Sequence, residues 1–267
     1  MLQETVIAWA SGRSPVVQGT RIMLTRSQGV RDLDRAAVLA LPVERVVGAD
    51  EEAMLSLPHG GDEGLGRWTA TLATYGMEVS TGPVVAFRAA EVIRERPEPG
   101  TVPLLWLQHV RQQQVAWPIA KKQEHIQATA ACAWMLVPNA PMVLLRRFSP
   151  KEDVRRVTCA AYVGQLPGEV IGLENHLNFI YRPRGRLTEA EARGLAAFLS
   201  SRIVDEHFRA LAGSTQVNAT ELRKLPLPPL ELIEEIGRRC PVAPGLAEID
   251  ALVDQVLGLE TMQRAAA

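Results

Sequence analysis

Cysteine is scarce in this chain: Cys132, Cys159 and Cys240 are the three present, and no two share a short spacing. Neither a disulfide framework nor a Cys-x-x-Cys metal site is therefore indicated, and a reducing compartment fits. No stretch approaches the roughly 18 consecutive apolar residues of a membrane span. Residues Met1–Ala10 lack the basic segment and long apolar run of a secretory leader. A cytoplasmic chain with no membrane partner is the expectation. The five histidines, His59, His109, His125, His176 and His207, show neither i, i+4 pairing nor cysteine neighbours, which argues against metal ligation.

Catalytic signatures are equally sparse. There is no Gly-x-Ser-x-Gly pentapeptide, the mark of one serine hydrolase class. Neither Asp-x-Lys nor Glu-x-Lys occurs, which disfavours one type of metal-dependent nuclease. The glycine cluster His59-Gly60-Gly61-Asp62-Glu63-Gly64-Leu65-Gly66 has neither a Gly-Lys-Ser/Thr ending nor the three-glycine dinucleotide spacing, so it reads as a loop. Cys132 and Cys159 stand in apolar company, which suits core packing better than a reactive thiolate.

What remains is an ordinary globular composition. The chain has 267 residues, 47% hydrophobic and 22% charged, enough to bury a substantial core. Its net charge of -1 hides an uneven layout: residues 1–79 carry 7 Lys+Arg against 10 Asp+Glu, residues 80–156 carry 11 against 6, and residues 157–267 carry 11 against 14. A phosphate backbone responds to the field of such a central patch and not to the whole-chain sum. A solvated face would carry the same excess.

The pattern along the chain predicts an α+β protein, with N-terminal and central mixed or antiparallel sheet built from short strands and a helical C-terminal region. We divide it into residues 1–80, β-rich; 81–186, a central region; and 187–267, helical. Short strands are expected at Glu4–Trp9, Arg21–Ser27, Val84–Arg88, Leu104–His109, Met142–Arg147, Arg156–Val163 and Leu177–Tyr181, with a short helix near Arg67–Thr74. Thr188 and Glu191 stand three apart as a capping box that opens a helix. A second helical run carries Ile203, Val204, Phe208 and Leu211 on one face and stops at Gly213. Pro229 can occupy the first turn of a helix over Leu230–Arg239, and another runs from about Leu246 to Leu259.

Two polar stretches stand out, Glu174–Tyr181 and Gly213–Arg223, where amides, hydroxyls and an imidazole sit beside apolar residues. Such a composition suits a surface that reads hydrogen-bonding edges. Asn175, His176 and Asn178 alternate at a strand start, where residues two apart share a face; amides satisfying a local turn would look the same. The alternative holds equally for Thr215, Gln216, Asn218 and Thr220, of which Asn218 or Thr220 can cap a helical turn. Arginines and lysines recur in strands and turns: Arg88, Lys121, Lys122, Arg146, Arg147, Lys151, Arg155 and Arg156. Arginine at such places grips phosphate or reads guanine through its planar fork, or pairs with Glu152 and Asp153 around the turn at Ser149–Asp153 for little stability.

Four segments in this order and roughly this spacing resemble a known group: Ser80–Arg88 (STGPVVAFR), Arg147–Glu152 (RFSPKE), Glu174–Asn178 (ENHLN) and Ser214–Arg223 (STQVNATELR). The group is the C-terminal target-recognition region of adenine-specific DNA methyltransferases of bacterial type II restriction-modification systems. Leu2–Ile7 looks like the segment leaving a catalytic domain, so the resemblance covers nearly the whole chain. The run Leu225-Pro226-Leu227-Pro228-Pro229-Leu230 is similar, more weakly, to type I specificity subunits. The resemblance implies adenine methylation within a short duplex site, using S-adenosylmethionine and base flipping. One departure matters: the catalytic Asn/Asp-Pro-Pro-Tyr/Phe motif is absent, as is a glycine-rich cofactor loop.

The expectation is therefore a recognition domain or subunit that binds double-stranded DNA, with S-adenosylmethionine held by a catalytic domain or partner subunit. Lys121, Lys122, Arg146, Arg147, Lys151, Arg155 and Arg156 are the candidates for phosphate contact. Arg88, Asn175, His176, Asn178, Gln216 and Asn218 are the candidates for base reading or support of the reading loops. The rival is a protein-interaction module that bridges restriction-modification subunits without reading DNA.

Overall fold

The computed structural model describes residues 20–25, 38–47, 65–120, 123–149, 153–210, 217 and 219–259. The strand expected at Glu4–Trp9, the segment Leu2–Ile7, most of the glycine cluster and Gly213 lie outside them. Two compact units form, Met1–Asp62 with Glu206–Ser214, and Glu63–Asp205 with Thr215–Ala267. In the first, β1 (Arg21–Thr25) and β2 (Val38–Pro42) make an antiparallel ribbon with Arg21 opposite Pro42 and Thr25 opposite Val38.

The second unit holds two larger sheets. One is antiparallel throughout and pairs, in spatial order, β11 (Cys159–Tyr162), β10 (Met142–Arg146), β13 (Leu177–Tyr181) and β3 (Glu78–Thr81). The other is mixed, in the order β4 (Ile93–Arg94), β8 (His125–Gln127), β5 (Thr101–Leu105), β12 (Val170–Leu173) and β9 (Leu136–Pro138); its β5–β12 pair is parallel. Pro138, which has no N–H to give, sits on the edge strand, where none is needed. A small ribbon joins β6 (Val110–Arg111) to β7 (Gln114–Val115). The α+β class and the mixed sheet agree with the sequence reading.

Alternation along a strand divides the core in two. On β5, Leu105 enters a cluster with Leu144, Tyr162, Leu173, Leu177 and Phe179, while its neighbour Leu104 enters another with Val84, Ile93, Trp106 and Ile126. Strand β10 is apolar without alternation, and Met142, Val143, Leu144 and Leu145 are all buried. Both its faces are covered, as such a run demands. On that sheet's other face lies α1 (Glu189–Ser200), against which Cys159 Sγ sits 3.3 Å from Ser200 Oγ. Burial pushes this thiol up to about 12, so Cys159 is a packing residue.

Helix α1 starts where the sequence places it. Thr188 accepts the Glu191 N–H, and Glu191 returns a bond to the Thr188 N–H at 2.6 Å. The other helices are α2 (Arg202–Ala210), α3 (Ala219–Lys224), α4 (Leu230–Arg239) and α5 (Leu246–Leu257). Gly194 of α1 and Gly237 of α4 let two backbones touch: a Cβ on Gly194 would lie 1.8 Å from the Ile233 carbonyl oxygen, and one on Gly237 1.9 Å from that of Ala190. Only an absent side chain permits this crossing.

Three expected elements differ. Val84–Arg88 is not a strand: Val84 bridges to Glu174, and then Arg88 and Ala89 both donate to the Val85 carbonyl, making a turn. Among the described residues partner backbone exists for Val84 alone, so β-branched composition does not extend the strand. Arg67–Thr74 is not an α-helix but a turn followed by a 3-10 turn at Ala73–Tyr75. The Thr74 hydroxyl accepts the Thr71 N–H, and threonines that bond their local backbone in this way compete with helix. Leu104–His109 is strand to Leu105 only, then a 3-10 turn over Leu107–His109.

Gly→Ala in an exposed helix stabilises by about 1 kcal/mol, so the sign is diagnostic here. Gly194→Ala and Gly237→Ala should each destabilise by about 3 kcal/mol or more, seen as a lowered urea midpoint; a raised midpoint would refute the contact. The buried Glu191 carboxylate gives a second test. Burial would raise its pKa, but Arg182, bidentate at 3.0 and 2.7 Å, and the Thr188 N–H outweigh burial and hold it below the usual range. Its stabilisation is complete above the unfolded carboxylate pKa of about 4.3 and is lost as pH falls through the lower folded value. Urea midpoints of Glu191→Gln should lie below those of the parent at neutral pH, and the two should converge on acidification.

Candidate nucleic-acid interface

The four spaced segments of the sequence meet in the second unit through a closed circuit of hydrogen bonds. β3 pairs with β13 so that Thr81 faces Asn178, and the Thr81 hydroxyl donates to Asn178 Oδ1 at 2.9 Å. Asn178 Nδ2 donates to the Val217 carbonyl at 3.2 Å. The Val217 N–H donates to the Arg147 carbonyl at 3.1 Å, and the Arg147 N–H to the His176 carbonyl at 3.0 Å. Arg147 Nη1 donates to the Asn175 carbonyl at 2.8 Å, and the Asn175 N–H to the Val84 carbonyl at 2.9 Å, which closes the ring on the first segment. Gly82 belongs to the same contact, since a Cβ there would lie 2.4 Å from the Glu174 carbonyl oxygen. Arg223 adds a bond from Nη2 to the Val79 carbonyl at 3.0 Å.

Above this frame the side chains divide. Asn178 is 1% exposed and has both halves of its amide committed, so it supports the loops from beneath. Asn175 is half-buried, and its carbonyl anchors Arg147. His176 faces outward, with Nδ1 donating to the buried Glu174 carboxylate at 2.5 Å and its ring centroid 5.5 Å from that of Phe148. Arg88 and Phe87 emerge on the Val85–Ala89 turn with the guanidinium 5.3 Å from the ring centroid, and Phe87 is 78% exposed. The arrangement offers a cation, an imidazole and two exposed aromatics on rigid turns.

The remaining candidates go elsewhere. Arg146 and Arg147, adjacent on the chain, point to opposite sides; Arg146 Nε donates to the Val110 carbonyl at 2.6 Å, and burial lowers its pKa, opposed by Asp153 and aided by Arg111. Arg155 is 14% exposed and is held by Asp250 and, at 3.9 Å, by Asp205. Arg156 is buried, and its N–H donates to Asp205 at 2.7 Å. Arg155 through its guanidinium and Arg156 through its backbone N–H thus meet carboxylates of α2 and α5, while Asp153 acts on Arg146. Lys121, Lys122, Lys151, Gln216 and Asn218 lie outside the described residues.

The flanks of Lys121 and Lys122 are firmly tied. His109 Nδ1 accepts the Trp106 N–H at 2.8 Å, so Nε2 carries the proton that it donates to Glu124 at 2.7 Å. Burial would raise the Glu124 pKa, but the Ile119 N–H at 2.8 Å and the His109 ring outweigh burial and lower it. Trp106 Nε1 donates to the Gln123 carbonyl at 2.7 Å. The sequence reading assigned no role to Glu174, Thr81, Gly82 or Val217. A partial signal was available for Glu174, which opens the Glu174–Asn178 segment.

No group of three or more potential ligands suited to a metal ion occurs among the described residues. Among them, too, no helix is long and apolar enough to cross a membrane.

Comparison with known proteins places this chain beside type II methyltransferases, although no family model matches it. The type II methyltransferase M.PstI of Providencia stuartii is 34% identical over 198 residues, covering 73% of this chain and 39% of its own length. M.BsuBI of Bacillus subtilis, another type II methyltransferase, is 37% identical over 170 residues, covering 63% of this chain and 34% of its own length. The chain thus spans 39% and 34% of the relatives it matches.

Removing the Asn178 amide should strip two partners at once. Asn178→Ala, which leaves the Thr81 hydroxyl and the Val217 carbonyl without their bonds, should cost about 2 kcal/mol by urea denaturation. Thr81→Val should cost about 1 kcal/mol, and much less in the Asn178→Ala background. Additive losses would break the link between the two residues.

Proposed function

We propose that this chain is the sequence-reading, duplex-binding module of an adenine-specific DNA methyltransferase of a restriction-modification system. The observation that carries the reading is the hydrogen-bond circuit, which draws four segments remote in sequence onto one surface bearing Arg88, Phe87, His176 and Phe148. Similarity to part of two type II methyltransferases supports it. Methyl transfer with S-adenosylmethionine belongs, on this reading, to a catalytic domain or partner subunit, because the residues present include neither the Asn/Asp-Pro-Pro-Tyr/Phe motif nor a glycine-rich cofactor loop.

Among the described residues, roles follow from exposure. Arg88, a fork of donors on a rigid turn, reads a base edge, with guanine O6 and N7 its natural partners. Lys121, Lys122 and Lys151 contact phosphate. Arg147 holds the reading turn and lends its remaining charge to the surface, 5.6 Å from the Phe148 ring centroid. Asn175 and Asn178 support the turn, and Gln216 and Asn218 are candidates for base contact. Arg146, Arg155 and Arg156 stabilise the frame.

Gel shifts at low and moderate salt, with duplexes selected by the chain from a randomised pool, test this. Arg88→Ala should relax preference at one base pair by about tenfold, while Lys121→Ala with Lys122→Ala should weaken all duplexes alike and flatten the salt slope. A chain that retains partner subunits but no duplex would instead be the bridging module, and the DNA reading would fall.

A further inference from the structure

We propose that Glu174 and His176 form one reading unit for an exocyclic amino group in the major groove, N6 of adenine or N4 of cytosine; this rests on the duplex-binding function proposed above. Glu174 is 1% exposed, and both its carboxylate oxygens are committed to His176: Oε2 accepts the backbone N–H at 3.0 Å, and Oε1 accepts Nδ1–H at 2.5 Å. The Glu174 backbone is fixed in turn, its N–H donating to the Leu105 carbonyl at 2.9 Å and the residue bridging to Val84. The Phe148 ring limits the imidazole from the side, while 47% of the His176 side chain stays open.

A buried carboxylate costs several kcal/mol unless its partners are well placed, and a plain turn at Asn175-His176 does not require one. The carboxylate does serve another task, setting the tautomer. With the proton on Nδ1, a neutral imidazole carries its lone pair on Nε2, at the opposite edge of the ring. That edge is an acceptor, and it complements a donor. In the major groove the donors are the amino groups of adenine and cytosine, whereas thymine O4 and guanine O6 and N7 are acceptors. Arg88 has only donors to offer. The exposed side chains of Arg88 and His176 therefore have opposite demands and read different bases. Glu174 is the positioning residue and His176 the contact.

An atom-by-atom cycle tests the assignment. From a randomised duplex pool the full chain selects its preferred site; each adenine is then replaced by purine and each cytosine by 2-pyrimidinone, singly, so that one amino group is lost at a time. One such deletion should weaken binding by the parent chain about tenfold, and should cost His176→Ala and Glu174→Gln almost nothing, since a glutamine amide admits either tautomer. A merely structural Glu174–His176 pair would change overall affinity or melting temperature without selecting one amino group. If every deletion costs the parent and His176→Ala alike, His176 reads no amine and the inference is overturned, although the chain still selects a site. If no site emerges from the pool, the duplex-reading function itself fails. His176 is open to solvent, so its variant carries the test even where Glu174→Gln does not fold.

Discussion

A carboxamide with no access to water governs the arrangement of this surface. Asn178 presents one acceptor and one donor pair in a place where an unmade bond costs the full desolvation of the group. The chain meets both needs with atoms from remote segments, the hydroxyl of Thr81 and the carbonyl of Val217. Once these are fixed, the register of the remaining turns follows, because Val217 leads by backbone bonds to Arg147, and Arg147 to His176. Gly82 adds a steric condition, since it must have no side chain where it meets the Glu174 carbonyl. Exposed side chains on such a frame can be placed with little further loss of entropy, which is what selective recognition of a rigid partner needs.

The arginines show how one residue type is divided between frame and surface. The guanidinium groups of Arg155 and Arg182 meet carboxylates within the fold, that of Arg146 meets a carbonyl, and Arg156 is buried with its backbone N–H on Asp205. Among the described residues Arg88 makes no such pairing, and its guanidinium lies 5.3 Å from the Phe87 ring centroid. Charge density along the sequence could not separate these roles. The partners that retire Arg155, Asp205 and Asp250, come 50 and 95 residues later, and nothing local announces them.

Local signals were legible where a local cause is sufficient. The capping box at Thr188 and Glu191 opens α1, Pro229 precedes α4, and the strand expected at Leu177–Tyr181 is β13. They failed where the outcome depends on available partners. Val84–Arg88 has strand composition, but backbone to pair with exists only at Val84, and the resulting turn is what exposes Phe87 and Arg88. The polar segment Glu174–Asn178 stood out by composition, yet composition did not distinguish the buried Asn178 from the open His176 two residues before it. The strand edge and the turn do that. The order and spacing of four segments carried a family resemblance, while the bonds that join them span up to 97 residues and are visible only in the fold.

The central claim is that one face of this chain, built from four segments, meets duplex DNA. Amide hydrogen exchange with and without a duplex selected by the chain addresses it directly. Added protection should concentrate in residues 84–88, 147–149 and 174–177, and helices α4 and α5 should exchange as before. Protection confined to those helices, or none at a duplex concentration that saturates binding, would contradict the claim.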